Sequence, residues 1–473
     1  MTAIRAAGAY APRFRIDAEA FEAAWGRFDA PGVREKAVAA ADEDPLTMAR
    51  EAAARALSAA DRDGSAVDWL GFAASRPPLA EEDLTARLGA MLAVPERATR
   101  HAFAGSTRAG TRALWAAADA LEAGAAETAL VVAADAPRGD PDDEIDHAAG
   151  AGAAAFVLDR EGPARIVDRA EYAAPYPGTR FRETGSDETT GLGVTAYDRR
   201  AFVETIEGAV DGLAAVPDPD AAAIQAPDGK LPYRAADAAG VDAGAIEAAA
   251  TVHDLGDLGA ASVPVSLARA LAAGHESILA VSHGSGAGAD AFVVEAEGDV
   301  PVDDALDRGG DPISYAAYLR RRGVVTSGPP EGGGAYVSVP SWRRSLPQRY
   351  RLEAGRCPDC GALAFPPEGA CPDCGSLDPF ESVALPREGT VEAATTISGG
   401  GAPPEFAERV AREGAYAALV VSFAVGDERV RVPAMGTDAD PAAFAVGDRV
   451  EATIRRIYEQ EGVTRYGFKV RPA

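Results

Sequence analysis

Residues 1–300 alternate Ala-rich stretches of helical period with short, unbroken apolar runs. Thr111 to Ala123 repeats its apolar positions at helical spacing, and Gly124 follows as a terminating residue. Ala129-Leu-Val-Val-Ala-Ala134 is then a run too short for a helix and ends in turn residues. Helix, tight turn and buried strand in that order predict an α/β layer. The unit occurs twice. Glu122-Ala-Gly124 precedes the run 129–134, and Ala272-Ala-Gly274 precedes Ile278-Leu-Ala-Val-Ser282. A glycine loop and a further strand follow each, Gly150–Leu158 and Gly286–Val294, with Phe156 and Phe292 at matching places. Two similar βα halves are expected, 1–165 and 166–298.

The pattern changes after residue 297. Residues 297–312 are polar and turn-rich and read as a linker, and the whole connecting segment is expected to span 299–345. Within it, Ile313–Val325 reads as a short basic helix with Tyr315, Tyr318 and Leu319 on one side, and Gly328–Gly334 as a flexible break. From Val383 onward period-two segments dominate: 389–397, 416–425, 428–433, 449–458 and 464–470. Five short strands separated by turns such as Gly426-Asp427 and Gly447-Asp448 predict a small all-β barrel of the OB type over 383–473.

Composition changes this picture in one respect. The chain of 473 residues has a net charge of −27, and only Lys36, Lys230 and Lys469 are lysines among its 46 basic residues. An acidic, lysine-poor surface suits a salt-loaded cytoplasm, where at about 1 M salt the Debye length is only about 3 Å and self-repulsion is screened. A halophilic, cytoplasmic protein is therefore expected. The acidity argues against a nucleic-acid partner. No apolar run of transmembrane length occurs, and Met1-Thr2-Ala3-Ile4-Arg5 opens without the apolar core of a secretory signal.

All four cysteines fall in one knuckle, Cys357-Pro-Asp-Cys360 and Cys371-Pro-Asp-Cys374. Two-residue spacing lets each pair reach one tetrahedral ion, and four thiolates fill the shell of a structural Zn2+. Gly361 and Gly375 follow each pair, where the turn needs room. A rubredoxin-like zinc ribbon is expected over 346–382. The same clustering leaves the first 356 residues without a thiol.

Gly8-Ala-Tyr-Ala-Pro-Arg-Phe-Arg-Ile16, Glu35-Lys-Ala-Val38, Asp42-Glu-Asp-Pro-Leu-Thr-Met48, Thr107-Arg-Ala-Gly-Thr111, Gln225-Ala-Pro-Asp-Gly-Lys-Leu-Pro232 and Gly284-Ser-Gly-Ala-Gly-Ala-Asp-Ala-Phe292 resemble successive motifs of the archaeal hydroxymethylglutaryl-CoA synthases. Residues 313–473 are similar to the zinc-ribbon plus OB-fold proteins of the DUF35 type that accompany thiolases and these synthases. The resemblance implies a thiolase-like fold, an acyl-CoA ligand, a homodimer and a thiolase as partner.

It also implies where the chemistry sits. The family's nucleophilic cysteine falls on Thr107, its histidine on Gln225, its asparagine near Asp257 and its glutamate near Ala74. All four positions are substituted. A threonine hydroxyl without a base is a poor nucleophile, and a glutamine moves no proton at neutral pH. The expectation is a protein that binds acyl-CoA, or scaffolds and channels CoA intermediates with a thiolase, without condensing them. Lys230 and Gly229 are the candidates for binding CoA, Lys230 through a phosphate. Two alternatives stand beside this reading. One is an active acyltransferase using Thr107 or Ser106 with His253 as base, with Ser75 as a further substitute hydroxyl. The other is a single-strand nucleic-acid module, with Trp342-Arg343-Arg344 and Arg349-Tyr350-Arg351 leading into the ribbon. The loops Gly150–Gly152 and Gly284–Gly288 offer room for a ligand or for tight turns, and Asp140–Asp146 reads as a solvated acidic turn.

Overall fold

The computed structural model of the chain describes residues 2–214, 218–308, 310–325 and 337–473. The chain divides after Tyr318 into two compact units. The break expected at 328–334 lies outside the described residues.

The first unit is built on a ten-stranded sheet. Its order is Thr99–Ala104, Trp69–Ala74, Ala129–Asp135, Gly152–Asp159, Thr2–Tyr10, Ala164–Tyr172, Gly288–Ala296, Ser277–Gly284 and Ala221–Ile224, with Val302–Ala305 added in parallel to Thr2–Tyr10. The repeat in the sequence is a repeat in the sheet. Trp69–Ala74 runs parallel to Ala129–Asp135, which pairs antiparallel with Gly152–Asp159. In the same way Ala221–Ile224 runs parallel to Ser277–Gly284, which pairs antiparallel with Gly288–Ala296. Phe156 lies opposite Val131, and Phe292 opposite Ala280.

Two helices, Ala109–Glu122 and Ser262–Ala272, occupy equivalent places after these βα turns and share one apolar core with the sheet. Alanine dominates that core because layers covered on both faces leave little space between backbones. The motif 42–48 is a helix start. Asp44 accepts from the Thr47 amide at 3.0 Å while Thr47 Oγ1 accepts from the Asp44 amide at 2.9 Å, a capping box for the buried helix Pro45–Ala59.

The segment 297–312 is not a free linker. Val302–Ala305 joins the main sheet, Asp311–Pro312 pairs with Phe14–Asp17, and Leu306 is fully buried. Strand addition is driven by main-chain hydrogen bonds, which leave little trace in a polar sequence of this length. The helix expected over 313–325 is confined to Tyr315–Arg321, and Tyr318 is buried against Lys36 and Asp146.

The second unit contains a three-stranded ribbon, Leu363–Ala364, Glu353–Arg356 and Glu381–Ala384, and a five-stranded barrel. In the barrel Glu388–Ile397, Tyr416–Val425 and Glu428–Met435 form a meander, and Arg449–Gln460 pairs with the first of these and with Val463–Pro472. A parallel bridge from Gly436 to Val470 nearly closes the ring in the OB manner. Alternate positions fill it: Val391, Leu419, Val421, Phe423, Val430, Val432, Val450 and Val470 are buried together. Among the described residues no helix is long and apolar enough to cross a membrane.

Candidate functional site

Thr107 sits in the turn between the strand Thr99–Ala104 and the helix Ala109–Glu122. The motif around it explains its own geometry. Arg108 Nε donates to the fully buried Asp290 carboxylate at 3.0 Å, and Thr111 Oγ1 donates to the same group at 2.9 Å, pinning the turn onto the strand Gly288–Ala296. Gly284 and Gly288 leave space for the Arg108 side chain, which a Cβ at either position would meet within 2.5 Å. Their absent side chains thus serve packing rather than a ligand.

A helix N-terminus lowers the pKa of a cysteine placed there. A hydroxyl starts far too high for the same help to matter at neutral pH. The Thr107 hydroxyl is further committed, donating to the His283 main-chain carbonyl at 2.6 Å. No base receives its proton.

Gln225 follows the strand Ala221–Ile224 and is buried, with Nε2 donating to the Gly259 carbonyl at 3.0 Å and Oε1 without a partner among the described residues. Asp257 is buried as well. Its Oδ2 accepts from Arg180 Nη1 at 2.6 Å, and its Oδ1 accepts from the Gly259 amide at 2.8 Å and Ser262 Oγ at 3.2 Å. Thr107, Gln225, Arg180 and His283 line one cavity of about 180 Å³, with Ile145, Phe202, Pro227 and Leu231 as its apolar wall and Glu144 and Asp198 as acids. Burial raises the carboxyls of Glu144 and Asp198 above their ordinary range, and for Glu144 the neighbouring Asp143 and Asp198 add to it.

Ala74 ends the strand Trp69–Ala74, fully buried and outside the cavity lining. The amides after it, Ser75 and Arg76, donate to the buried Asp135, which also accepts from Ala260. That carboxylate is consumed in holding three turns together.

His253 is not the base of this site. It lies outside the lining, with Nδ1 on the Gly32 carbonyl at 2.7 Å and Nε2 on Tyr233 Oη at 2.9 Å. Ser106 Oγ accepts from the Arg108 amide. The imidazole that does line the cavity is His283, near the end of the strand Ser277–Gly284 that pairs in parallel with Ala221–Ile224. Its pKa is pushed down to about 3, first by burial and then by the charges of Arg108 and Arg180. The signal in the sequence was its place at the head of the Gly284 loop. Nothing in the sequence marked Arg180, which comes from an irregular segment 77 residues away from Asp257.

Gly229 is buried, and its backbone lies against Gly32 so closely that a Cβ would meet it at 2.4 Å. Asp228 Oδ1 accepts from the Lys230 and Leu231 amides at 2.6 Å and starts the turn Leu231–Arg234. Lys230 is exposed beside the lining residues Asp228 and Leu231, and Arg199 and Arg234 line the cavity as further exposed cations. The acidic stretch Asp140–Asp146 is only partly solvated: Asp146 is fully buried and accepts from Tyr318 Oη at 2.8 Å.

In the second unit the four cysteine sulfurs lie within 4.8 Å of one another. Cys357 and Cys374 are 3.7 Å apart, and Cys360 and Cys371 3.6 Å. A tetrahedron with Zn–S bonds of about 2.3 Å has edges of about 3.8 Å, whereas a disulfide needs about 2.05 Å. The Gly361 and Gly375 amides return to the Cys357 and Cys371 carbonyls at 2.9 and 3.0 Å, with both glycines in the left-handed region. The donor set fits zinc. Trp342 and Tyr350 are buried, and Trp342 lies between the Arg349 and Arg465 guanidinium groups at 4.2 and 4.8 Å. Neither ring is a free platform for a base.

The chain is 30% identical over 339 residues to the hydroxymethylglutaryl-CoA synthase of Pyrobaculum neutrophilum, covering 67% of this chain and 96% of that relative. The chain belongs to the hydroxymethylglutaryl-CoA synthase family. The enzyme of the same name from Methanocella arvoryzae is 29% identical over 344 residues, covering 68% of this chain and 98% of its own length. Among solved structures, MvaS in complex with 3-hydroxy-3-methylglutaryl coenzyme A matches 71% of this chain and 94% of its own at 20% identity and a TM-score of 0.59. The 3-oxoacyl-[acyl-carrier-protein] synthase III of Aquifex aeolicus VF5 matches 62% and 100% at 20% identity and a TM-score of 0.56. At these identities the likeness is one of fold, the thiolase-like α/β arrangement. Residues 344–379 match the ChsH2 rubredoxin-like zinc ribbon domain.

Proposed function

We propose that this family member holds a short-chain acyl-CoA in the cavity between Thr107 and Gln225 without condensing it, and hands CoA intermediates to or from an active thiolase. The observation that carries the reading is the fate of the Thr107 proton. At the position the resemblance gives to the nucleophile, the Thr107 hydroxyl donates to the His283 carbonyl, and residues 1–356 contain no thiol. Condensation through an acyl-enzyme needs a nucleophile and a proton acceptor, and loss of a single acid/base group typically costs about 10²–10⁴ in rate.

The ligand reading is supported by the apolar wall of the cavity and by Lys230, Arg199 and Arg234 near it, cations that suit CoA phosphates. A homodimer is supported by the strand Thr99–Ala104, which forms one edge of the main sheet and is largely exposed along its length.

The test is turnover. Zinc-replete protein at high salt, given acetyl-CoA and acetoacetyl-CoA, releases no free CoA by chromatography, and mass spectrometry finds no acyl group on residues 101–112. Thr107→Cys gains an acetyl adduct at that residue. Steady CoA release, or an adduct on the unmodified chain, overturns the reading.

A further inference from the structure

The hydrogen-bonding polarity of Thr107, Gln225 and His283 in this cavity is the reverse of what stabilises a developing oxyanion. Gln225 is 2% exposed, and its amide orientation is assigned by the bond from Nε2 to the Gly259 carbonyl at 3.0 Å. The flipped amide would set two carbonyl oxygens against each other, so Oε1 is the fork left over, an acceptor with no partner among the described residues.

His283 has the same polarity. Thr205 Oγ1 donates to the Ala201 carbonyl at 2.7 Å, so toward Nδ1 of His283, 2.9 Å away, it accepts. The proton is then on Nδ1, and Nε2 is a bare lone pair with no partner among the described residues. The Thr107 hydroxyl, its proton given to the His283 carbonyl, offers only lone pairs. Against these three acceptors stands one buried cavity-lining donor without a partner among the described residues, Arg180 Nη2, whose sister Nη1 is held by Asp257. All four residues line the same cavity.

A ketone oxygen among these groups meets lone pairs where an oxyanion-stabilising site presents donors. A hydroxyl in the same place gives its proton to one of the acceptors and accepts from the guanidinium. An unpaired buried acceptor is the costly state, and a ligand that supplies the missing donor is the one selected. We propose that Gln225 makes this pocket selective for acyl thioesters carrying a hydroxyl on the chain over their keto counterparts. The inference rests on the acyl-CoA reading above and adds the class of acyl group.

The matched probes are 3-hydroxybutyryl-CoA and acetoacetyl-CoA, which differ by two hydrogens. Calorimetry on the full zinc-replete chain at high salt is expected to give at least a tenfold tighter Kd for the hydroxyacyl thioester. Gln225→His, which brings a ring N–H to the same place, is expected to lose that preference while still binding a thioester. Gln225→Glu, also an acceptor, is expected to keep it, with circular dichroism confirming that each variant folds. Equal or reversed affinities in the unmodified chain, or an unchanged preference in Gln225→His, overturn the selectivity and leave acyl-CoA binding standing. Failure of both thioesters to bind overturns the acyl-CoA reading itself.

Discussion

The Arg180 guanidinium and the Asp257 carboxylate form a buried ion pair, Nη1 to Oδ2 at 2.6 Å, with Asp257 only 1% exposed. The pair joins an irregular segment to the turn that precedes the helix Ser262–Ala272, so it sets one wall of the cavity. Removing one partner from such a pair strands a charge. Arg180→Ala is expected to destabilise the first unit by about 3–5 kcal/mol, and adding Asp257→Asn to recover a large part of it. Urea unfolding of the single and double variants measures both, and a loss below about 1 kcal/mol for Arg180→Ala contradicts the pairing.

His283 makes stability depend on pH in a window of its own. Its ring packs on Phe202 with centroids 5.0 Å apart, and its pKa of about 3 lies below the 6.5 of an ordinary histidine. Between those values the unfolded chain binds a proton that the folded chain does not. The stability at this site is whole above about pH 6.5 and falls as the pH drops toward 3, by at most about 1.4 kcal/mol per pH unit. His283→Phe is expected to flatten that part of the stability curve, and an unchanged slope rules the histidine out as its source.

The cysteine knuckle predicts one zinc per chain. Zinc contributes on the order of 10–16 kcal/mol to ordering units of this kind, so chelation is expected to loosen the ribbon first. Hydrogen exchange should quicken over 353–384 while the strands 129–135 and 277–284 keep their protection. Cys371→Ala is expected to bind no zinc by elemental analysis; full metal content in that variant would argue against four-sulfur ligation.

Lysine chemistry offers a direct probe of the ligand site. Lys36 and Lys469 are fully buried, so Lys230 is the one lysine amine at the surface. An amine-directed acylating reagent is expected to label Lys230 and the α-amino group. Added CoA is expected to protect Lys230 alone, as read by peptide mass spectrometry. Equal labelling with and without CoA removes Lys230 from the phosphate site.

Local order was legible where a residue's role depends on its neighbours in the chain. The repeated helix–strand units, the five barrel strands and the zinc knuckle all declare themselves through periodicity or spacing, because strand alternation and thiolate bite are short-range constraints. Thr107 and Gln225, the positions the family resemblance marks, were equally visible as letters. The strand Val302–Ala305 was not, because a parallel addition draws on main-chain bonds to a partner almost 300 residues away.

Periodicity and spacing along the chain thus determined the α/β and all-β elements and the cluster of four cysteines, while the family resemblance supplied the thiolase-like fold and the position where a thiol is expected. Only the tertiary structure decided what surrounds Thr107 and Gln225. It brought His283 rather than His253 into the cavity that Gln225 lines, set Arg180 against Asp257, and spent the Thr107 proton on a main-chain carbonyl. Those outcomes depend on which atoms of distant segments come within hydrogen-bonding distance, and the order of residues does not encode that until the sheet has closed around the cavity.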